Sequence, residues 1–170
     1  EANTISTLAA DIDGPLSLVN AQSLTIGTVN STSGLQTAND DAKLNITGDL
    51  TIGQAGDLGA NDVALGTGNL TLVVTGSVTE TTGNTISAQG LQVVGGSGAV
   101  NLNEANAVTT FAANRTGTIS YRDVDDLTIG SVTDSAMTPG TTTSGITTTG
   151  FDTKLTTGGP LSIDSAIDLG

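Results

Sequence analysis

The sequence contains no cysteine and no histidine. The lack of cysteine excludes a disulfide framework and a thiolate metal site. The lack of histidine removes the commonest metal ligand and the commonest general base. Aromatic residues make up only 2% of the 170 residues, and no stretch shows sustained helical spacing of apolar residues. The chain therefore has to build its core from Leu, Ile, Val and Ala, and no cofactor is expected.

Basic residues are also scarce, with 4 Lys and Arg against 17 Asp and Glu and a net charge of −13. Contacts to phosphate need clustered Lys and Arg, so we expect no nucleic-acid partner. Anionic membrane surfaces are disfavoured for the same reason. No apolar run approaches the roughly 18 residues of a membrane span, so we expect no membrane insertion. We interpret the acidity as a source of solubility.

The apolar residues occur in short alternating triplets, such as Leu-Thr-Ile at 24–26, 50–52 and 127–129, each followed by Gly. This period of two predicts short strands with one buried face. An antiparallel sandwich and a parallel β-solenoid both use many short strands. The recurring motif favours the solenoid, because stacked coils place like strands on like strands. Triplets taken as equivalent lie 21 to 28 residues apart, which predicts roughly six to eight coils: Leu16, Leu44, Leu70, Leu91 and Ile119.

The chain carries a long internal repeat, in which residues 1–52 recur over 104–163. Thirteen of the first 29 positions are identical, and the second copy has an insertion loop near 133–143. Repeats of this kind indicate stacked architectures, with insertions in loops on one face. We therefore expect residues 1–170 to form a single β-solenoid segment.

Both ends of the chain align with interior positions of the repeat, Glu1 with Glu104 and Gly170 with Gly59. This alignment predicts uncapped ends and indicates a piece of a longer array. Uncapped ends leave strand edges unpaired, and such edges attract other strands. We expect neighbouring repeats, or copies of the chain itself, to stack on them end to end.

Several segments resemble the repeats of filamentous-haemagglutinin-like proteins, which are giant exported bacterial proteins. They are residues 23–29, 107–114, 126–132 and 144–150. The resemblance implies a right-handed parallel β-helix exported by two-partner or autotransporter secretion. It implies an extracellular or cell-surface rod with a structural or adhesive role, and a host surface or a carbohydrate as its ligand. It supplies no catalytic residues.

The densest acidic cluster is a candidate calcium site formed by Asp123, Asp125 and Asp126, because Ca²⁺ takes carboxylate oxygens. The alternative is a solvated turn before the strand at Leu127. The first copy has Asn20, Ala21, Gln22 and Ser23 at the corresponding positions. Because the repeat does not keep the carboxylates, we favour the turn and predict no metal site.

Two further functions remain as alternatives to the rod. A carbohydrate-active β-helix enzyme needs paired carboxylates in a cleft, usually beside basic or aromatic residues, and those residues are few here. An ice-binding surface needs Thr at one position of every coil. The Thr runs at 141–143 and 147–149 suggest such a surface, but they lie in or beside the insertion, and the triplet centres vary. We therefore expect no enzymatic activity.

Overall fold

The computed structural model describes residues 2–56, 62–135 and 140–170. Over these ranges the chain is all-β, without a helix, and 18 strands form one large sheet. All pairings in that sheet are parallel, which is compatible with the expected β-solenoid. The strands are β1 (Thr7–Leu8), β2 (Ala10–Ile12), β3 (Leu16–Asn20), β4 (Leu24–Ile26), β5 (Thr28–Val29), β6 (Thr32–Ser33), β7 (Leu35–Thr37), β8 (Ala42–Ile46), β9 (Leu50–Ile52), β10 (Val63–Ala64), β11 (Asn69–Val74), β12 (Val78–Glu80), β13 (Ile86–Val94), β14 (Val100–Arg115), β15 (Ile119–Asp123), β16 (Leu127–Ile129), β17 (Ser131–Thr133), β18 (Thr142–Ser144), β19 (Ile146–Thr148), β20 (Thr153–Thr157), β21 (Leu161–Ile163) and β22 (Ile167–Asp168).

The parallel pairings arrange the strands in three stacks. The first stack runs β1, β4, β9, β12, the start of β14, β15 and β20. The second runs β2, β7, β10, the start of β13 and the middle of β14. The third runs β3, β8, β11, the end of β13 and the end of β14. Strands β16 and β19 lie one after the other along the end of β14, and they pair in turn with β21 and β22.

The core consists of columns of aliphatic side chains that run along each stack. The alternation of inward and outward residues places Leu, Ile and Val in register, and burying each large aliphatic side chain stabilises the fold by about 1.5–3 kcal/mol. One such column in the third stack is Leu18, Leu44, Leu72, Val93, Ala113, Ile146 and Ile167. Its middle members are fully buried, whereas Ile167 at the last strand is 36% exposed.

Two antiparallel hairpins interrupt the parallel stacks, β5–β6 and β17–β18. Each one leaves the coil between two strands of the repeat and returns to it. The insertion predicted near 133–143 falls in the second hairpin, and its residues 136–139 lie outside the described chain. The aligned end residues Glu1 and Gly59 lie outside it as well.

The two copies of the long repeat share a backbone hydrogen-bond pattern around these hairpins. In the first copy the Gly27 N–H donates to the Leu8 carbonyl, and the Gly34 N–H donates to the Gly27 carbonyl. The equivalent residues of the second copy make the same two hydrogen bonds: Phe111, Gly130 and Gly145.

The copies occupy different stacks, however. Strands β3 and β8 belong to the third stack, and their equivalents β15 and β20 belong to the first. Ile119 therefore pairs with Val100, and not with Leu91 as the triplet spacing predicted. The prediction was wrong at this point because the length of a coil is not constant, and parallel partners are between 17 and 34 residues apart in sequence.

Candidate functional site

The three aspartates of the candidate calcium site are not equivalent in the structure. Asp125 and Asp126 are exposed, whereas Asp123 is 1% exposed. The Tyr121 hydroxyl and the Val108 N–H donate to Asp123 Oδ2 at 2.8 and 2.9 Å. The Asp125 N–H donates to Asp123 Oδ1 at 3.0 Å. Both carboxylate oxygens of Asp123 are thus occupied by donors of the protein itself.

The first copy of the repeat shows what this buried position does. Asn20 aligns with Asp123, is also buried, and accepts the N–H of Ile5, the counterpart of Val108, at 2.9 Å. Both residues therefore satisfy a backbone donor of the coil above. Among the described residues no group of three acidic side chains is arranged to hold a metal ion. The three donors to its carboxylate give Asp123 a structural role between adjacent coils.

Tyr121 packs face to face with Phe111, with ring centroids 4.5 Å apart and an interplanar angle of 5°. Burial and the Asp123 carboxylate raise the pKa of the Tyr121 phenol. The hydroxyl thus remains a proton donor to Asp123 and satisfies a carboxylate that burial would otherwise leave poorly solvated.

A buried carboxyl that the sequence analysis missed lies in β12. Glu80 occupies the strand position that pairs with the core residue Ile52. The Glu104 N–H and the Asn106 side-chain amide donate to Glu80 Oε2 at 3.0 and 3.2 Å, whereas Oε1 is buried without a partner. Burial raises the pKa of Glu80 to about 7, and the two hydrogen bonds only partly offset this effect.

Two more acids lie near Glu80 and raise its pKa further, Glu104 and Asp62. The carboxylate of each of these acids accepts a backbone hydrogen bond: Glu104 accepts the Gly83 N–H, and Asp62 accepts the Thr85 N–H. Perturbed carboxyls often mark functional sites. Here the partners of Glu80 are a backbone N–H and a side-chain amide of the next coil, and the burial that raises its pKa favours the protonated carboxyl.

Arg115 is a second buried charge that the sequence did not reveal. It is 1% exposed, and its guanidinium donates only to carbonyl oxygens. The four acceptors are Val74, Val94, Gly76 and Gly98, which lie at the corners of two successive coils. Burial lowers the pKa of Arg115. Arg115 joins the two coils. Its Nε is buried without a partner, and the residue also lines an open pocket of about 200 Å³ with Gly96 and Thr116.

The outer surface of the second stack carries an open groove of about 540 Å³ near the start of the chain. Its lining includes Asp11, Asp13, Gln36 and Ala64. The carboxylates and the amide can accept hydrogen bonds from hydroxyl groups. The lining contains no Lys, Arg or aromatic side chain of the kind that β-helix carbohydrate enzymes combine with their carboxylates.

The outer face of the first stack carries a column of polar residues. Four threonines come first and three other residues follow: Thr7, Thr25, Thr51, Thr79, Asn101, Ser120 and Lys154. A flat ice-binding face requires the same residue at every coil, and here the Thr column ends after β12. The Thr runs at 141–143 and 147–149 lie elsewhere, around β18 and β19.

No protein-family model matches the chain, and neither a curated protein nor a solved structure matches it. The described residues contain no helix long and apolar enough to cross a membrane.

Proposed function

We propose that the chain is a segment of a rod, a right-handed parallel β-solenoid of seven coils, with a structural or adhesive role outside the cell. The observation that carries this proposal is the register of the stacks. Like residues pair with like along each stack, as Leu24 with Leu50 and Thr25 with Thr51. Such a stack gains length by adding coils and needs no compact active centre.

The number of coils and their right-handedness are supported by two different arguments. The first stack joins seven strand segments by six successive parallel pairings. Crossovers between parallel strands of one sheet are right-handed in about 98% of cases. At about 4.8 Å per coil, the stack is about 34 Å long.

We propose that the protein belongs with the filamentous-haemagglutinin-like exported proteins, at the bacterial surface or in the extracellular medium. The repeat motifs, the absence of cysteine and the net charge of −13 support this placement. Its ligand in this proposal is a host surface or a carbohydrate. The groove at Asp11 and Asp13 offers hydrogen-bond acceptors that suit a hydroxyl-rich ligand.

The rod also makes contacts through its ends. The last coil exposes apolar side chains that face the core in earlier coils: Leu161 at 43%, Ile163 at 58%, Ile167 at 36% and Leu169 at 40%. We propose that neighbouring coils or copies of the chain stack there, which would cover both the apolar surface and the unpaired strand edge.

Binding without turnover is the result that supports the adhesive role. The immobilised chain is presented with a panel of bacterial and host polysaccharides, and both retention and release of reducing ends are measured. Asp11→Asn combined with Asp13→Asn should weaken retention at least about tenfold. Asp125→Asn combined with Asp126→Asn, also a pair of exposed carboxylates, should not. Product release that the groove variant abolishes would instead establish a carbohydrate-active enzyme.

End stacking is measured separately by sedimentation velocity as a function of concentration. Ile163→Asp should abolish association, because it places a charge on the exposed apolar end. Val29→Asp is the matched control, since Val29 is 42% exposed on the β5–β6 hairpin. Equal behaviour of the two variants would contradict stacking through this end.

A further inference from the structure

The second hairpin lies along the outer face of the third stack. We call its described residues, 131–135 and 140–144, the strap. Val132 of the strap is 2% exposed and packs over Gly90 in β13. A Cβ atom at Gly90 would stand 2.5 Å from Asn69 Oδ1 and 2.9 Å from Val132 Cγ1. Any larger residue at position 90 would therefore require the Asn69 and Val132 side chains to shift.

Side chains from two successive strands hold the backbone of the strap. Asn69 of β11 donates from Nδ2 to the Thr133 carbonyl at 3.2 Å. Gln92 of β13 donates from Nε2 to the Thr141 carbonyl at 3.4 Å. The strap thus crosses from β13 to β11, towards the first copy of the repeat.

The far end of the strap is anchored at β8. Lys43 Nζ lies 2.5 Å from Asp134 Oδ2, and the Asp134 side chain is fully buried while that of Lys43 is 17% exposed. The Ser135 N–H also donates to Asp41 Oδ2 at 3.2 Å. Asp134 Oδ1 has no partner, so the burial of this carboxylate depends on Lys43.

We propose that the strap is a latch that couples the coil of β8 to the coil of β16, so that the stack between them opens as one unit. In a solenoid each coil contacts only its neighbours, and the end coils open first. The Lys43–Asp134 contact joins residues 91 positions apart. It ties the late coils directly to an early one, and the strap also contacts β11 and β13 in the coils between them. This inference does not depend on adhesion or export.

The first hairpin provides an internal comparison. It is eight residues shorter and lacks the residues that reach across the stack. Val29, the counterpart of Val132, is 42% exposed. The difference between the two hairpins indicates that the eight-residue insertion is what created the latch.

Hydrogen exchange of the whole chain, read by mass spectrometry of its peptides, tests the latch. In the wild type we expect peptides from β16 and β19 to exchange at about the same rate as those from β11. Asp134→Asn keeps the shape of the side chain and removes its charge. It should accelerate exchange of β16 and β19 about tenfold relative to β11. Lys154→Met removes an exposed cation outside the strap and should leave the ratio unchanged.

Two outcomes would overturn the proposal. One is a wild-type protein in which β16 already exchanges about tenfold faster than β11. The other is an Asp134→Asn variant with the wild-type ratio. The double variant Lys43→Glu with Asp134→Lys reverses the pair and should restore the wild-type ratio. Failure to restore it would show that the pair does not carry the coupling.

Discussion

Replacing Glu80 with glutamine isolates the energetic effect of the buried carboxyl of a half-buried residue. The substitution keeps the volume of the side chain and an oxygen that can accept from the Glu104 N–H and the Asn106 amide. It removes the ionisation. The two proteins therefore differ mainly in whether the position can carry a negative charge.

The expected magnitude follows from the pKa of Glu80, which burial raises from 4.5 to about 7. Each unit corresponds to about 1.4 kcal/mol, so the ionised carboxylate destabilises the fold by about 3 kcal/mol. The folded state holds the proton more tightly than the unfolded chain. The favourable contribution of protonated Glu80 is thus fully present below about pH 4.5 and is lost as pH rises to about 7.

Urea unfolding followed by circular dichroism measures this contribution. Near pH 8 we expect Glu80→Gln to be about 3 kcal/mol more stable than the wild type, and near pH 4.5 we expect similar stability. Asp13→Asn is the control, because Asp13 is exposed. If the free energies of unfolding of the wild type and of Glu80→Gln differ by the same amount at both pH values, the buried, proton-binding role of Glu80 is refuted.

Three further substitutions test the assigned roles of buried residues, each by urea unfolding. Arg115→Met should destabilise the fold by about 3 kcal/mol or more, because carbonyl groups at two coil corners lose their donor. Tyr121→Phe should cost about 1–3 kcal/mol, because Asp123 loses a hydrogen bond in a buried position. Ile129→Asp should cost more than about 4 kcal/mol by burying an unpaired charge, whereas Leu161→Asp at the exposed end should cost less than about 1 kcal/mol. Equal costs at the last two positions would contradict the assignment of Ile129 to the core.

The strands that the sequence predicted well are those with two large aliphatic residues around a polar centre. The triplets at 24–26, 50–52, 127–129 and 161–163 are β4, β9, β16 and β21. Strands built from Thr, Ala and Lys carry a weaker period-two signal. The strand β20 was missed for this reason, because its stacking comes from register with β15 and little from its own hydrophobicity.

The burial of several polar residues was not predicted from the sequence. The solvated turn expected at the acidic cluster describes Asp125 and Asp126 but not Asp123. Asp123 follows Tyr121 by two residues in β15, and period-two alternation places both side chains on the inward face. This pattern could have predicted that Asp123 is buried. Glu80 carried a similar signal, because Val-Thr-Glu stands in β12 where Leu-Thr-Ile stands in β9. The position of Arg115 could not be predicted, because its acceptors lie at coil corners 17 to 41 residues away.

The change of stack between the two copies explains how one loop could become a latch. The β5–β6 hairpin leaves the coil between strands of the first and second stacks, whereas β17–β18 leaves it along the third. Only the third stack offers the successive partners that the strap uses, Gly90, Asn69 and Lys43. The same eight-residue insertion in the first copy would meet a different outer face. The repeat therefore supplies equivalent hairpins, and the offset between copies determines which surface each can reach.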